Sequence, residues 1–346
     1  MRERVTAGGA AYILAMALTG LAAFASANNL LFLLLAAMVA ALMVSGFISR
    51  LGIAGLELDI QLPEHISARR PAAARVVLKN EKRLVPSFSI HLAGVDDSAF
   101  TTQLYFPVVP GGGRAEAGVD MTFQRRGIHA GESFQFSSRF PFGFAERRVQ
   151  VRMTREVLVY PALDAQPGFQ ELLDAVEGDA ESLFRGLGHD FHRIRPYVPF
   201  ESARHVDWRA TAHTGALQVR EFAREQERLV TIFLDLNAPD GRREWFEQAV
   251  ECAAFLAWRL CQRGARVRFR TQEFEILTPV EGDVYAILRY LALAAPRPGV
   301  PPLKNLHEES AVVVFSAAAA RLDDAGWSGA RVADLARLPR GLTPDA

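Results

Sequence analysis

Two histidines and an aspartate crowd the stretch ARHVDWRATAHTG, residues 203–215: His205, Asp207 and His213. His205 and Asp207 are two positions apart, so on a strand they share a face. With His213, or with His192 upstream, they are the types needed for a His/Asp metal site or for a general base oriented by a carboxylate. Such a set would suit a metal-dependent hydrolase. Metal sites need three or four convergent donors and a supporting shell, which spacing alone does not establish.

The same stretch also suits a structural brace. Arg193, Arg195, Arg204, Arg209 and Arg220 interleave with Glu201, Asp207, Glu221 and Glu225, and mixed signs favour intramolecular Arg–carboxylate pairing. Trp208 adds a large apolar body whose N–H needs a partner. In this reading Asp207 accepts hydrogen bonds from a neighbouring Arg or from backbone amides, and Trp208 packs between the segment and a sheet. Elsewhere the chain is poor in catalytic motifs. No serine stands in a G-x-S-x-G turn, and no P-loop or G-x-G-x-x-G follows a strand.

The elements that must position these residues lie on either side. RLVTIFLDLN is a continuous apolar run ending in Asp235, as expected of a strand buried on both faces. A helical period follows, carrying Trp245, Phe246, Ala249, Val250, Ala253, Leu256, Ala257 and Leu260 and stopping at Gly264. ARVRFRT, GDVYAILRYLALAA and SAVVVFSA then read as strand, helix and strand. This alternation predicts a doubly wound α/β sheet. Cys252 and Cys261 share the first of these helices on opposite faces, roughly 13.5 Å apart along its axis, and cannot bridge each other.

Upstream the texture is that of strands. LELDIQL, ARVVLKN, SFSIHLAG, AGVDMTF, ESFQFSSRF and EVLVYP alternate or run apolar between turns such as PGGG. They predict a β-sandwich-like domain, with RFPFGF as a turn anchored by core phenylalanines. Before it, residues 10–27 and then LLFLLLAAMVAALMVSGFIS carry no charge. Each is about long enough to cross ~30 Å of hydrocarbon as a helix, with Asn28 and Asn29 in the turn. A cleaved signal peptide is the rival reading, with ASA at Ala25–Ala27 as its processing site. Arg2 and Arg4 before the first span, and Arg50, Arg69 and Arg70 after the second, predict a cytoplasmic soluble part in a cytoplasmic membrane. The net charge of +0 gives no basic surplus for nucleic acid.

The order of these parts, with NNLLFLLLA, PFGF and VLVYP followed by DFHRIRPYVPFESARHVDWRATAHTGALQVREFAREQE, resembles the membrane-anchored domain of unknown function 58 (DUF 58) family. The resemblance rests most on Phe191, Arg195, Tyr197, Arg204, Asp207, Trp208, Ala210, Val219, Glu221 and Phe222. The sequence departs from the family pattern at Phe200-Glu201, in Arg209 for Lys and in His213 for Arg. The resemblance implies a C-terminal von Willebrand factor A-like domain and a protein partner, a MoxR-type AAA+ ATPase, in assembly or maturation of other proteins. It brings no catalytic activity and no expected cofactor.

The organisation is therefore a helical hairpin over 1–52, a β-sandwich-like domain over 53–161, a linker over 162–189 whose acidic first half reads as a surface helix or a mobile connection, and the α/β domain over 190–346. The site residues to follow are Arg195, Tyr197, Arg204, Asp207, Trp208, Arg209 and Glu221, as brace or partner surface. The von Willebrand A resemblance further implies a Mg²⁺ site of the D-x-S-x-S type at Asp235 and Asn237. Pro239 stands there without a side-chain oxygen, and a degenerate site is the expectation.

Overall fold

A computed structural model describes residues 2–95, 98–153, 155–187, 191–197, 206–222, 229–239, 241–304, 310–318, 320–323, 325–327 and 330–333. The chain divides into two compact units, Met1–Tyr160 and Pro161–Ala346.

In the first unit α1 (Ala7–Ser26) and α2 (Asn29–Ile53) are antiparallel neighbours, each long and apolar enough to cross a membrane. The caps are local. Thr6 Oγ1 accepts from Gly9 N to start α1, and Asn28 accepts from Leu30 N to start α2. These side chains satisfy amides that a helix start leaves open. Between the helices Ala27 takes a left-handed turn at φ 48°, and Tyr12 donates its hydroxyl to Met38 O at 3.1 Å. Most of both surfaces faces outward with Leu, Phe and Met exposed, as for helices whose solvent is lipid.

The remainder of this unit is mixed sheets. The largest has the order β1-β10-β9-β5-β6, all antiparallel, from Arg2–Val5, Ala145–Arg152, Ser133–Ser138, Ser87–Gly94 and Leu104–Val109. A second sheet joins β2 (Leu56–Gln61), β4 (Pro71–Asn80) and β7 (Arg114–Thr122). A third joins β3 (Ile66–Ser67), β11 (Val157–Tyr160) and β8 (Gly127–His129), with β11 parallel to β3. Burial alternates along β9, placing Phe134 and Phe136 in the core. That is the period-two pattern of a strand with one covered face.

Strand β1 precedes the first apolar helix, and no strand was expected there. Arg2 to Val5 register against Arg148 to Ala145, so the segment before α1 is built into the same sheet as the strands after α2. The RFPFGF turn also differs from expectation. Phe140 stacks on Phe88 and Phe144 on Tyr12, but Phe142 is 58% exposed and anchors nothing in the core.

In the second unit the bridge, expected as a surface helix or a mobile linker, forms the helix α3 (Phe169–Leu187). Phe169, Leu173, Val176 and Ala180 are buried at helical spacing, and α3 packs on α5 (Arg243–Gln262), β14 (Leu229–Leu234) and β17 (Ala311–Phe315). Acidic outer positions made the stretch look like surface, yet its inner face is apolar. It is a layer of the fold.

The central sheet has the order β16-β15-β14-β17-β18, with β15 (Arg266–Arg270), β16 (Glu275–Thr278) and β18 (Arg331–Val332). β14 runs parallel to β15 and β17, β17 parallel to β18, and β16 antiparallel at the edge. Helix α5 buries Phe246, Ala249, Val250, the run 252–257 and Leu260, and ends before Gly264, whose φ of 77° suits a residue lacking Cβ. Cys252 is buried within it and Cys261 half-buried, and both are free. Beyond β16 comes α6 (Val284–Leu293), capped by Asp283. After β17, short α7 (Ala320–Asp323) brings Leu322 and Trp327 onto Phe233 and Val314. Trp327 lies flat on Phe233, with ring centroids 4.7 Å apart, and donates Nε1–H to Leu303 O at 2.6 Å.

Candidate functional site

The motif-bearing block forms a small lobe. β12 (Phe191–Pro196) and β13 (Gln218–Phe222) make an antiparallel hairpin, and α4 (Trp208–Thr214) lies between them in sequence. Asp207 is the N-cap of α4. Its Oδ1 accepts from Arg209 N at 3.0 Å and Ala210 N at 3.1 Å. The helix closes on Gly215 at φ 70°. Its start is fixed to β13 by Asp207 N donating to Gln218 O at 2.8 Å, and Gln218 N donates to Thr211 Oγ1 at 3.0 Å.

The expected residues lie on the hairpin strands and on α4. Arg195 pairs in register with Val219, and Glu221 with Arg193. Tyr197 donates its backbone N–H to Leu217 O at 2.9 Å. Arg209 is exposed in the first turn of α4, and His213 is exposed in its last. Arg204 and His205 lie outside the described residues, and His192 is placed in β12 by its backbone. Among the described residues no three His, Cys, Asp or Glu side chains gather where a metal ion could sit.

Trp208 is the main departure from the brace reading. Instead of packing between the segment and the sheet it is 69% exposed. Asp207 holds the first turn of the helix through two main-chain amides, so the start of α4 does not require its neighbour's ring to be covered. The motif thus presents a large aromatic on a fixed support.

The second candidate lies at the carboxyl ends of β14 and β17, where the chain leaves the sheet in opposite directions. Open α/β sheets bind ligands at such a switch point. Asp235, 4% exposed, follows β14 directly. Its Oδ1 accepts from Asn237 N at 2.9 Å and from Gln272 Nε2 at 2.6 Å, and its Oδ2 accepts from Ser316 Oγ at 2.6 Å. Gln272 closes a ring of contacts by accepting Leu236 N at 3.0 Å on its own Oε1. The side-chain oxygen of Asn237 accepts Gly299 N at 2.8 Å. Neutral donors thus surround a buried carboxylate, which satisfies its hydrogen-bonding capacity.

These residues do not fit Mg²⁺. A hard octahedral cation needs oxygen ligands and room for water. Among the described residues one carboxylate is present, both of its oxygens receive protein donors, and the Ser316 hydroxyl points its proton at Asp235. Pro239 supplies nothing. The sequence located Asp235 and Asn237 at a strand end, but Gln272 carried no signal, because its role depends on β15 lying beside β14.

Residues 193–314 match the model of the family described as "Protein of unknown function DUF58". No functionally curated protein matches the chain. Among solved structures, the sporulation control protein Spo0M from Bacillus subtilis aligns at 11% identity over 61% of this chain and 99% of its own, with a TM-score of 0.19. A superposition at that score says nothing of a shared fold.

Proposed function

We propose, for a chain that belongs to the DUF 58 family through its residues 193–314, a role as a membrane-anchored, non-enzymatic scaffold. Its α/β unit, of von Willebrand A type, presents a protein-binding surface in the cytoplasm and works with a MoxR-type AAA+ ATPase in assembling or maturing other proteins. The hairpin anchors it to the bilayer, and a β-sandwich-like domain stands between anchor and α/β unit in the chain.

The observation that carries this reading is Trp208, 69% exposed at the head of a helix whose cap and strand contacts hold it in place. Exposed tryptophan on a rigid support is the residue type that dominates the energetics of protein interfaces. The von Willebrand A reading is supported by the sheet. Counted from β14, its order is 3-2-1-4-5 with the third strand reversed at the edge, a doubly wound order. Anchoring is supported by two apolar helices with Arg4 just before the first and Arg50 in the last turn of the second, the basic pattern of cytoplasmic helix ends.

The test is a photoreactive phenylalanine analogue at position 208, crosslinked in native membranes and read by mass spectrometry. The expected product contains an AAA+ ATPase, and Trp208→Ala lowers ATPase recovery by an independent affinity pull-down. Crosslinks confined to lipid or to this chain would remove the proposal.

A further inference from the structure

Two loops at the root of the helical hairpin expose apolar side chains that the core does not use. The first, Glu81–Pro86, joins β4 to β5 beside the end of α2. Lys82 Nζ donates to the carbonyls of Leu51 and Gly52 in the last turn of α2 and to Ser87 Oγ at 2.9 Å. Asn80, buried, holds the loop from below by donating Nδ2 to Val85 O at 2.9 Å and to Val109 O at 3.2 Å. The turn at Pro110–Gly113 braces it from the side. Gly112 N donates to Lys82 O, and a Cβ on Gly111 would stand 2.9 Å from Arg83 O. At the tip of this braced loop Leu84 is 93% exposed, with exposed Arg83 before it and Val85 after it.

The second loop, Arg139–Phe144, runs beside the start of α1. Thr6 Oγ1 donates to Gly143 O, and Thr6 N donates to Phe144 O at 3.1 Å. The approach is so close that a Cβ on Gly9 would stand 1.9 Å from Phe144 O. Phe144 stacks on Tyr12, well inside α1, at 4.1 Å. All of α1, about 30 Å for its length, is required to cross the hydrocarbon. A loop held by Thr6, the residue just ahead of α1, therefore meets the bilayer surface, and the Phe144 ring reaches past it to Tyr12. Phe142 projects from it, and Phe140 meets Phe88 at 4.7 Å, joining this loop to the strand that leaves the first.

We propose that these two loops seat the first unit on an anionic bilayer. Leu84 and Phe142 enter the interfacial layer, and Arg83, Arg50 and Arg4 face lipid phosphates. This rests on the hairpin's spanning the membrane. Exposing Leu84 to water costs hydrophobic free energy that a loop this well braced gains nothing by bearing, whereas interfacial lipid would cover it. Each basic side chain near an anionic surface adds electrostatic attraction. The surface is continuous with the helix ends, so no second partner is needed to explain it.

The experiment places an environment-sensitive nitrobenzoxadiazole probe at Leu84→Cys, Phe142→Cys, Ala130→Cys or Phe24→Cys in the full chain carrying Cys261→Ala. The protein is reconstituted in vesicles of equal parts phosphatidylglycerol and phosphatidylcholine with headgroup-proximal nitroxide lipid. Ala130 is exposed at the opposite end of β9 and serves as the aqueous reference, while Phe24, exposed within α1, reports the span. Positions 84 and 142 are expected to be blue-shifted and quenched relative to 130, and less so with Arg83→Glu or in phosphatidylcholine alone. Quenching at 24 with water-like signals at 84 and 142 overturns the seating and leaves the anchor standing. Water-like signals at 24 as well overturn both. Quenching at 84 and 142 that ignores Arg83→Glu and lipid charge overturns the anionic part.

Discussion

Asp207 and Asp235 are both carboxylates next to a strand or helix end, and their partners give them different weights. Asp207 serves two exposed-edge amides of a seven-residue helix. Asp207→Ala is expected to destabilise the second unit by about 1 kcal/mol, with Asp207→Asn or Ser nearly neutral. Asp235 serves three donors in the buried end of the sheet. Asp235→Ala strands them, at about 1–3 kcal/mol for each group left unsatisfied, while Asp235→Asn keeps an acceptor and costs less. Tryptophan fluorescence during denaturant unfolding in detergent measures both, because Trp208, Trp245, Trp258 and Trp327 all belong to the second unit. Adding or chelating Mg²⁺ should leave the midpoint unchanged, as the donor set has no place for the ion; a shift on chelation would return Asp235 to the metal reading. The same signal reports on Cys252, whose thiol burial pushes well above its ordinary value of 9.0. Above pH 9 the unfolded chain releases this proton and the native state keeps it. Stability therefore falls as pH rises beyond about 9, and Cys252→Ala should flatten that fall. Burial raises Tyr290 as well, in the same direction, so part of the slope stays. The position of Asp235 was readable because an apolar run ended there; its partners were not, since Gln272 and Ser316 reach it only through strand neighbours.

Elements written as long apolar runs or as apolar helical periods between clear stops were the most legible. β14, α5, α6 and β17 follow the periods in the sequence, with their caps and stops. Two elements escaped for physical reasons. In α3 the apolar positions are spread among acidic ones, and only a partner surface turns that pattern into a buried face. In β1 four residues with two arginines and a glutamate have no strand signature, and pairing with β10 alone makes them one. Glycine spacing shows the same dependence on context. Gly8 and Gly9 are adjacent in the first turn of α1, yet a Cβ on Gly8 meets nothing closer than Thr6 Oγ1 at 3.7 Å, whereas one on Gly9 meets backbone at 1.9 Å. Gly8→Ala should be tolerated and gain the usual helix propensity. Gly9→Ala must push the Phe140–Phe144 loop away from α1, and limited trypsin digestion at Arg139 should then accelerate. Equal digestion of the two variants would show that the close approach does not hold the loop.

For the molecule as a whole, the consequence of β1 is topological. A strand that precedes α1 pairs with β10, and the chain re-enters the same group of sheets through β2 after α2. Residues 2–5 and the β-rich part of the first unit must therefore share one side of any membrane the hairpin crosses. Arg147 strengthens the tie. Its side chain is nearly enclosed, and its Nη2 donates to Glu3 Oε1 at 2.7 Å. Removing one partner of a buried pair costs about 3–5 kcal/mol, and the lower end applies here because Glu3 is half exposed. Processing after Ala27 would remove Glu3, the edge strand and the Thr6 contacts with Gly143 and Phe144 together. The chain isolated from membranes is therefore expected to retain its N-terminal peptide by mass spectrometry, and Glu3→Gln should lower the unfolding midpoint of the full chain. A cysteine-reactive, membrane-impermeant label should reach Val5→Cys and Ala130→Cys from the same face of sealed vesicles, with Cys261 replaced by Ala. Labelling of these two sites from opposite faces, or a mature chain beginning at Asn28, would falsify the retained hairpin and with it the pairing of β1 in the membrane-bound protein.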